Sequence, residues 1–241
     1  MGNTPSTGDK YELKLNFDSV DAVSKQLETN GLKDLIVYIG IDYTASNSRA
    51  SNMSFGGIPL HSIGNQIINP YQQVLTIVGK QLQKLTKEIS LFSFGDSISR
   101  GTGVCNMNKD GPLSTYDDVI NIYNKSTPFI TLSGPTNFAP LINKAVENAA
   151  EAKGKTLILI ICDGHVTETE PTYKAVDAAR EQNIEVVCIG VGDGPFGKMS
   201  TQLNLPNFHF INFTTLKEQY QEKVEEYLSI AVLQDLVSFK N

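Results

Sequence analysis

Asp42, Thr44 and Ser46 stand at alternate positions directly beyond the apolar run 35–41. A buried strand ending there carries three oxygen-bearing side chains into the loop above a sheet, where open α/β folds place their ligands. Alternate spacing lets the three converge on one point, as a hard, oxygen-seeking cation requires. By itself Asp-x-Thr-x-Ser also describes an ordinary turn with a helix cap. Two further stretches give it company. Ser133-Gly134-Pro135-Thr136 precedes an apolar helix face that begins at Phe138, and Asp163-Gly164 ends the run Thr156–Cys162 as Asp42 ends the first. The candidate set is therefore Asp42, Thr44, Ser46, Thr136 and Asp163, drawn from separate loops. Two carboxylates carry too little negative charge for a tight calcium cage. With three hydroxyls they suit Mg²⁺ or Mn²⁺, held with water and one open position.

The elements that must position these residues are legible from periodicity. Val20, Val23 and Leu27 recur at helical spacing after Asp18-Ser19, and Asn30-Gly31 signals the stop. Asn69-Pro70 opens a helix with Tyr71, Val74, Leu75, Val78, Leu82 and Leu85 on one face. A further face runs through Phe138, Leu141, Ile142, Ala145, Val146 and Ala149 to a stop at Gly154. Shorter helices are predicted over 116–123 and 171–182. Thr215-Leu216-Lys217-Glu218 reads as the capping box of a closing helix that includes Tyr220, Val224 and Leu228. Runs 35–41, 89–94, 156–162, 184–191 and 208–213 read as strands. The loop 47–69 is long enough to suggest function, and 97–112 reads as an irregular hairpin excursion. Strands alternating with helices predict one α/β domain, Rossmann-like, with a mostly parallel central sheet and helices on both faces. It spans 17–241, after a flexible leader, 1–16.

A chain of 241 residues, 40% hydrophobic and 19% charged, can bury a substantial core. A net charge of -6 argues against nucleic acid as a partner and predicts an acidic surface around the site. No apolar run approaches the roughly 20 residues that span a bilayer, so the chain reads as soluble and cytoplasmic. Three cysteines, an odd number, argue against a disulfide framework. Cys162 and Cys188 read as buried thiols, and Cys105 lies in a polar loop. His61, His165 and His209 stand far apart, which argues against a zinc site of Cys and His. Met1-Gly2-Asn3-Thr4-Pro5-Ser6 fits the N-myristoylation pattern at Gly2. One acyl chain without a polybasic patch would give only weak membrane association.

At Asp42-Tyr43-Thr44-Ala45-Ser46, Thr136 and Asp163 the chain resembles the von Willebrand factor A domain and its metal-ion-dependent adhesion site. Leu60-His61-Ser62-Ile63, Asn69-Pro70-Tyr71, Phe94-Gly95-Asp96, Gly190-Val191-Gly192-Asp193-Gly194 and Asn207-Phe208-His209-Phe210 narrow the resemblance to the copine type. It implies direct metal contact for the hydroxyls of Thr44, Ser46 and Thr136. Asp42 and Asp163 would act directly or through water, and a partner's Glu or Asp would fill the open position. Plant ubiquitin ligases that end in a RING share this domain, and copines carry two C2 domains before it. The resemblance carries neither module here, so it implies a non-enzymatic, cation-dependent protein-binding module, an intracellular adaptor or signalling protein. A metal-dependent hydrolase and a lipid-anchored adaptor are the alternatives. Gly192-Asp193-Gly194-Pro195-Phe196-Gly197 matches a dinucleotide fingerprint literally, but it lies late in the chain and reads better as a tight turn. Asp96 reads as a carboxylate near the metal or a turn residue, and His165 as a loop histidine close to the site.

Overall fold

The computed structural model describes residues 13–64, 66–149, 154–197 and 199–239. Gly2 lies outside them. A six-stranded sheet is formed by β1 (Leu35–Asp42), β2 (Thr86–Phe94), β3 (Cys105–Asn106), β4 (Thr156–Cys162), β5 (Ile184–Gly190) and β6 (Phe208–Asn212). Its order is β3-β2-β1-β4-β5-β6, with all neighbours parallel except the short antiparallel edge strand β3. The chain moves outward from β1 to β2 and β3, then returns to the other side of β1 as β4. That reversal opens a crevice between the carboxyl ends of β1 and β4.

Both sheet faces are covered, which is why β1, β4 and β5 are buried along their whole length and read as continuous apolar runs. Leu35, Val37, Ile39 and Ile41 of β1 enter one core, while Ile36 and Tyr38 enter the other. The first core takes the buried residues of α1 (Val20–Thr29), α2 (Pro70–Leu82), α3 (Tyr116–Ser126), α7 (Phe213–Tyr220) and α8 (Val224–Asp235). The second takes α4 (Ala139–Ala149), α5 (Thr169–Glu181) and the single turn α6 (Met199–Gln202).

Local chemistry sets the helix starts. Ser19 Oγ accepts the Ala22 N–H, and Asn69 makes a reciprocal capping box with Gln72, each such cap being worth about 1 kcal/mol. The closing helix departs from expectation. Asn212, the last residue of β6, accepts the Thr215 N–H, so α7 starts at the strand's end rather than at Thr215. Gln221 then takes a left-handed φ of 31° and divides the helix into α7 and α8. The expected leader also reaches too far, since Leu13 and Leu15 pack against the core. Gln234 of α8 accepts the Asn16 N–H and donates to the Lys14 carbonyl.

Candidate metal centre

Ile41 of β1 pairs with Ile161 of β4, so Asp42 and Asp163 lie just past the level where the two strands end. Both are fully buried. Asp42 Oδ1 accepts the Thr44 N–H at 2.8 Å, which turns the chain back over the strand end. The short 3₁₀ turn Ala45–Ser48 then brings Ser46 round beside Thr44, with their hydroxyls 3.0 Å apart. Both hydroxyls reach Asp163 Oδ1, Ser46 at 2.9 Å and Thr44 at 3.4 Å. Gly95, at the end of β2, makes this packing possible. It holds φ +71°, and a Cβ there would lie 2.4 Å from the Thr44 methyl.

Thr136 arrives on a third loop. Ser133 pairs with Thr44, donating its N–H to the Tyr43 and Gly95 carbonyls and accepting from the Ala45 N–H. The Thr136 carbonyl accepts from the Thr167 N–H and hydroxyl, so its loop is also fastened to the segment beyond Asp163. Thr136 is thus tied to both neighbouring loops through backbone, while its hydroxyl makes no hydrogen bond to the cluster among the described residues.

The oxygens left over decide whether a cation fits. Asp42 Oδ2 and Asp163 Oδ2 are enclosed and have no hydrogen-bond partner. An enclosed carboxylate oxygen without a partner is costly, and a bound cation is one remedy. Burial, reinforced by the charge of Asp163, raises the Asp42 pKa well above the usual carboxylate range. Burial likewise raises Asp163 to about 6, against the opposing hydrogen bonds from Ser46 and Thr44. A dication would reverse both shifts. The donor set is oxygen only, which suits a hard ion. No group of three His, Cys, Asp or Glu side chains gathers for a metal among the described residues, so any further protein ligands would be hydroxyls.

Beneath the cluster lies a buried polar network whose role the sequence reading missed. The Asp42 carbonyl accepts from Asn47 Nδ2, His61 Nε2 and the Tyr71 hydroxyl. Asn47 also donates to the Thr44 carbonyl and accepts from Tyr71 at 2.7 Å. The His61 ring stacks between Tyr43 and Tyr71, with centroids 4.3 and 4.1 Å away. Burial lowers its pKa to about 4, so the ring is neutral. Because a carbonyl can only accept, Nε2 carries the proton and Nδ1 accepts from the Tyr123 hydroxyl at 2.8 Å. The long loop 47–69 therefore locks the ligand turn in place. His61, Asn69 and Tyr71 were visible in family-like stretches, but only side-chain partners across the fold reveal their function.

Asp96 is a turn residue: its carboxylate accepts from Ser93 Oγ and from the Ile98 and Ser99 N–H groups. His165 turns toward the Pro195 carbonyl. The glycine-rich run opens only the four-residue α6, and Asp193 within it binds the Met53 and Ser54 N–H groups, clamping the long loop. Cys162 and Cys188 are buried free thiols with sulfurs 3.6 Å apart.

The Copine family model matches residues 59–238. The chain belongs to the copine family. Copine family protein 1 of Caenorhabditis elegans is 36% identical over 92% of the chain, which spans 21% of that relative. The E3 ubiquitin-protein ligase RGLG4 of Arabidopsis thaliana is 31% identical over 97% of the chain and 64% of its own length. The chain thus spans less than two thirds of either relative. Among solved structures, proximal thread matrix protein 1 from the mussel byssus, with a zinc-occupied MIDAS motif, superposes with a TM-score of 0.51. The match is 15% identical and covers 83% of this chain and 46% of that one. The copine domain accordingly has the von Willebrand factor A fold expected for it. No helix among the described residues is long and apolar enough to cross a membrane.

Proposed function

We propose that this copine domain is a divalent-cation-dependent protein-binding module, an intracellular adaptor or signalling domain rather than an enzyme. Asp42, Thr44, Ser46, Thr136 and Asp163 would hold Mg²⁺ or Mn²⁺, and the bound ion would offer an open position to a partner's Glu or Asp. The observation that carries this reading is the pair of enclosed, partnerless carboxylate oxygens beside the Thr44 and Ser46 hydroxyls. Thr44 and Ser46 are neutral donors, so they fill coordination positions without cancelling charge. That favours attraction of an outside carboxylate over turnover. Among the described residues no histidine hydrogen-bonds to the two hydroxyls or to either carboxylate group, which leaves the hydrolase alternative without a poised base. The zinc in the mussel protein's MIDAS motif supports a cation at this place in the fold. Acylation at Gly2 would add weak membrane association, read out by mass spectrometry of the native N-terminus.

The test is a pull-down from cell extract with and without chelator. Retained partners should be lost on chelation and regained with Mg²⁺ or Mn²⁺. Retention should weaken with Thr136→Ala and fail when the partner's contacting Glu becomes Gln. Partners that stay bound under chelation would move the interaction surface away from these loops.

A further inference from the structure

The net charge of -6 predicts an acidic surround for the centre, yet two of the chain's three arginines stand on the loops that frame it. Arg49 closes the 3₁₀ turn that begins at Ala45, its N–H bonded to the Ser46 carbonyl at 2.8 Å. Its side chain is exposed and makes no ion pair among the described residues. Arg49 lines a groove of about 490 Å³ with Ala45, Ser46, Ala50, Asp193 and Gly194, a volume in the range of sites that seat small ligands or side chains. Asp193, whose carboxylate accepts the Met53 and Ser54 N–H groups, makes no ion pair with Arg49 among the described residues. Ser46 belongs to both the groove and the metal cluster, so the groove opens at a candidate ligand.

Arg100 stands on the other side. Its loop follows β2, and the next residue, Gly101, packs so closely on Pro135 that a Cβ would lie 2.5 Å away. Asn137 Nδ2 donates to the Gly101 carbonyl, fixing Arg100 beside the Thr136 loop. The strand order puts Arg100 toward β2 and the Arg49 groove toward β5, with the Asp42–Asp163 cluster between them. Two guanidinium groups so separated match carboxylates spaced along a chain better than a single phosphate. Exposed Ile98 and Phe129 lie on the two segments joined by the Asp96–Leu132 bridge and offer apolar surface beside that path.

We propose that the partner docks as an acidic peptide segment, one carboxylate completing the cation and a neighbouring one pairing with Arg49, with Arg100 drawing the far end of the segment. Guanidinium groups engage carboxylates bidentately, and a local positive rim on an acidic body steers such a segment to the centre. The proposal rests on the cation-dependent reading above.

The probe is a short fluorescent peptide of alternating Glu and Leu, with a Gln counterpart, titrated by anisotropy in Mn²⁺ at low and moderate salt. Arg49→Gln should weaken the Glu peptide about tenfold, less at moderate salt, with Mn²⁺ affinity measured without peptide unchanged. Arg100→Gln should weaken it less, and the Gln peptide should bind no better than background. If Arg49→Gln binds the Glu peptide as tightly as the wild type while chelation still abolishes binding, the docking track is overturned and the metal reading stands. If Mn²⁺ does not bind the protein alone and chelation changes nothing, the metal reading itself has failed. Tighter binding to phosphatidylserine vesicles than to the Glu peptide would also overturn the peptide assignment.

Discussion

At the carboxyl end of the sheet Asp42 and Asp163 are enclosed, with nothing of opposite charge against them among the described residues. At the amino end a second acidic pair, buried Glu185 of β5 and partly buried Asp235 of α8, has a histidine between its members. His209 of β6 meets Glu185 Oε2 at 2.9 Å through Nε2 and Asp235 Oδ1 at 3.4 Å through Nδ1. Ser238 covers the other Glu185 oxygen at 2.7 Å. One end supplies its own partner in His209 and so fastens the C-terminal helix to the sheet. The other leaves two carboxylate oxygens without a partner among the described residues, the feature on which the proposed cation site rests. Opposite satisfaction of two acidic pairs sets a structural cluster apart from the candidate binding site.

The comparison breaks most visibly at the metal end. Asp42→Asn and Asp163→Asn keep the shape of each side chain, and the amide oxygen introduced by Asp42→Asn can still accept the Thr44 N–H. Each should lower Mn²⁺ affinity by more than about a hundredfold, beyond the 10–100-fold typical of residues that only support a ligand. Stability of the metal-free protein should hold or rise, because like-charge repulsion is relieved. Calorimetric titration and thermal unfolding check both arms, and unchanged Mn²⁺ affinity in both variants would end the assignment.

At the amino end the expectation is reversed. His209→Ala should destabilise the protein by about 2 kcal/mol, less than the roughly 3–5 kcal/mol of a fully buried pair because part of the ring reaches solvent. Saturating Mn²⁺ should leave the difference between this variant and the wild type unchanged in urea denaturation. Rescue by the metal would mean that the two ends are not independent.

A smaller effect tests the network under the ligand turn. Tyr71→Phe removes the hydroxyl shared by Asn47 and the Asp42 carbonyl. It should cost about 1 kcal/mol of stability and up to about tenfold in Mn²⁺ affinity. A stability loss with no change in affinity would confine the network to folding.

The finest distinction is the pH response of the self-satisfied end. Burial depresses the His209 pKa, but the Glu185 hydrogen bond and the charges of Asp235 and Glu185 outweigh it and leave the pKa raised. Burial raises Asp235 to about 6 despite the opposing charge of His209. A histidine pKa raised on folding contributes stability that is complete below its unfolded value of about 6.5 and lost as pH rises through the folded value. Asp235, present in wild type and variant alike, contributes stability that is lost between 3.8 and about 6, below the histidine's window. The stability advantage of wild type over His209→Asn should therefore shrink from pH 6 upward, measured by urea denaturation at each pH. A flat difference would show that His209 serves by packing alone.

Much of this was written in the chain itself. Continuous apolar runs, helical spacing and caps fixed α1, α2, β1, β4 and β5 to within a few residues, since buried parallel strands and capped helices are decided by neighbours in sequence. The candidate ligands were legible for a related reason: Asp42 and Asp163 end apolar runs, and a parallel sheet sets the ends of adjacent strands level. What lay beyond the sequence depends on partners distant along the chain. Asn212 displaced Thr215 as the helix cap because the preceding strand delivered it there. Asn47, His61 and Tyr71 gained a role only when the loop 47–69 folded back under Asp42. What the tertiary fold placed opposite each pair sets Asp42 and Asp163 apart from Glu185 and Asp235. Sequence names the charges; the fold alone determines whether a charge meets a partner inside the chain or is left without one.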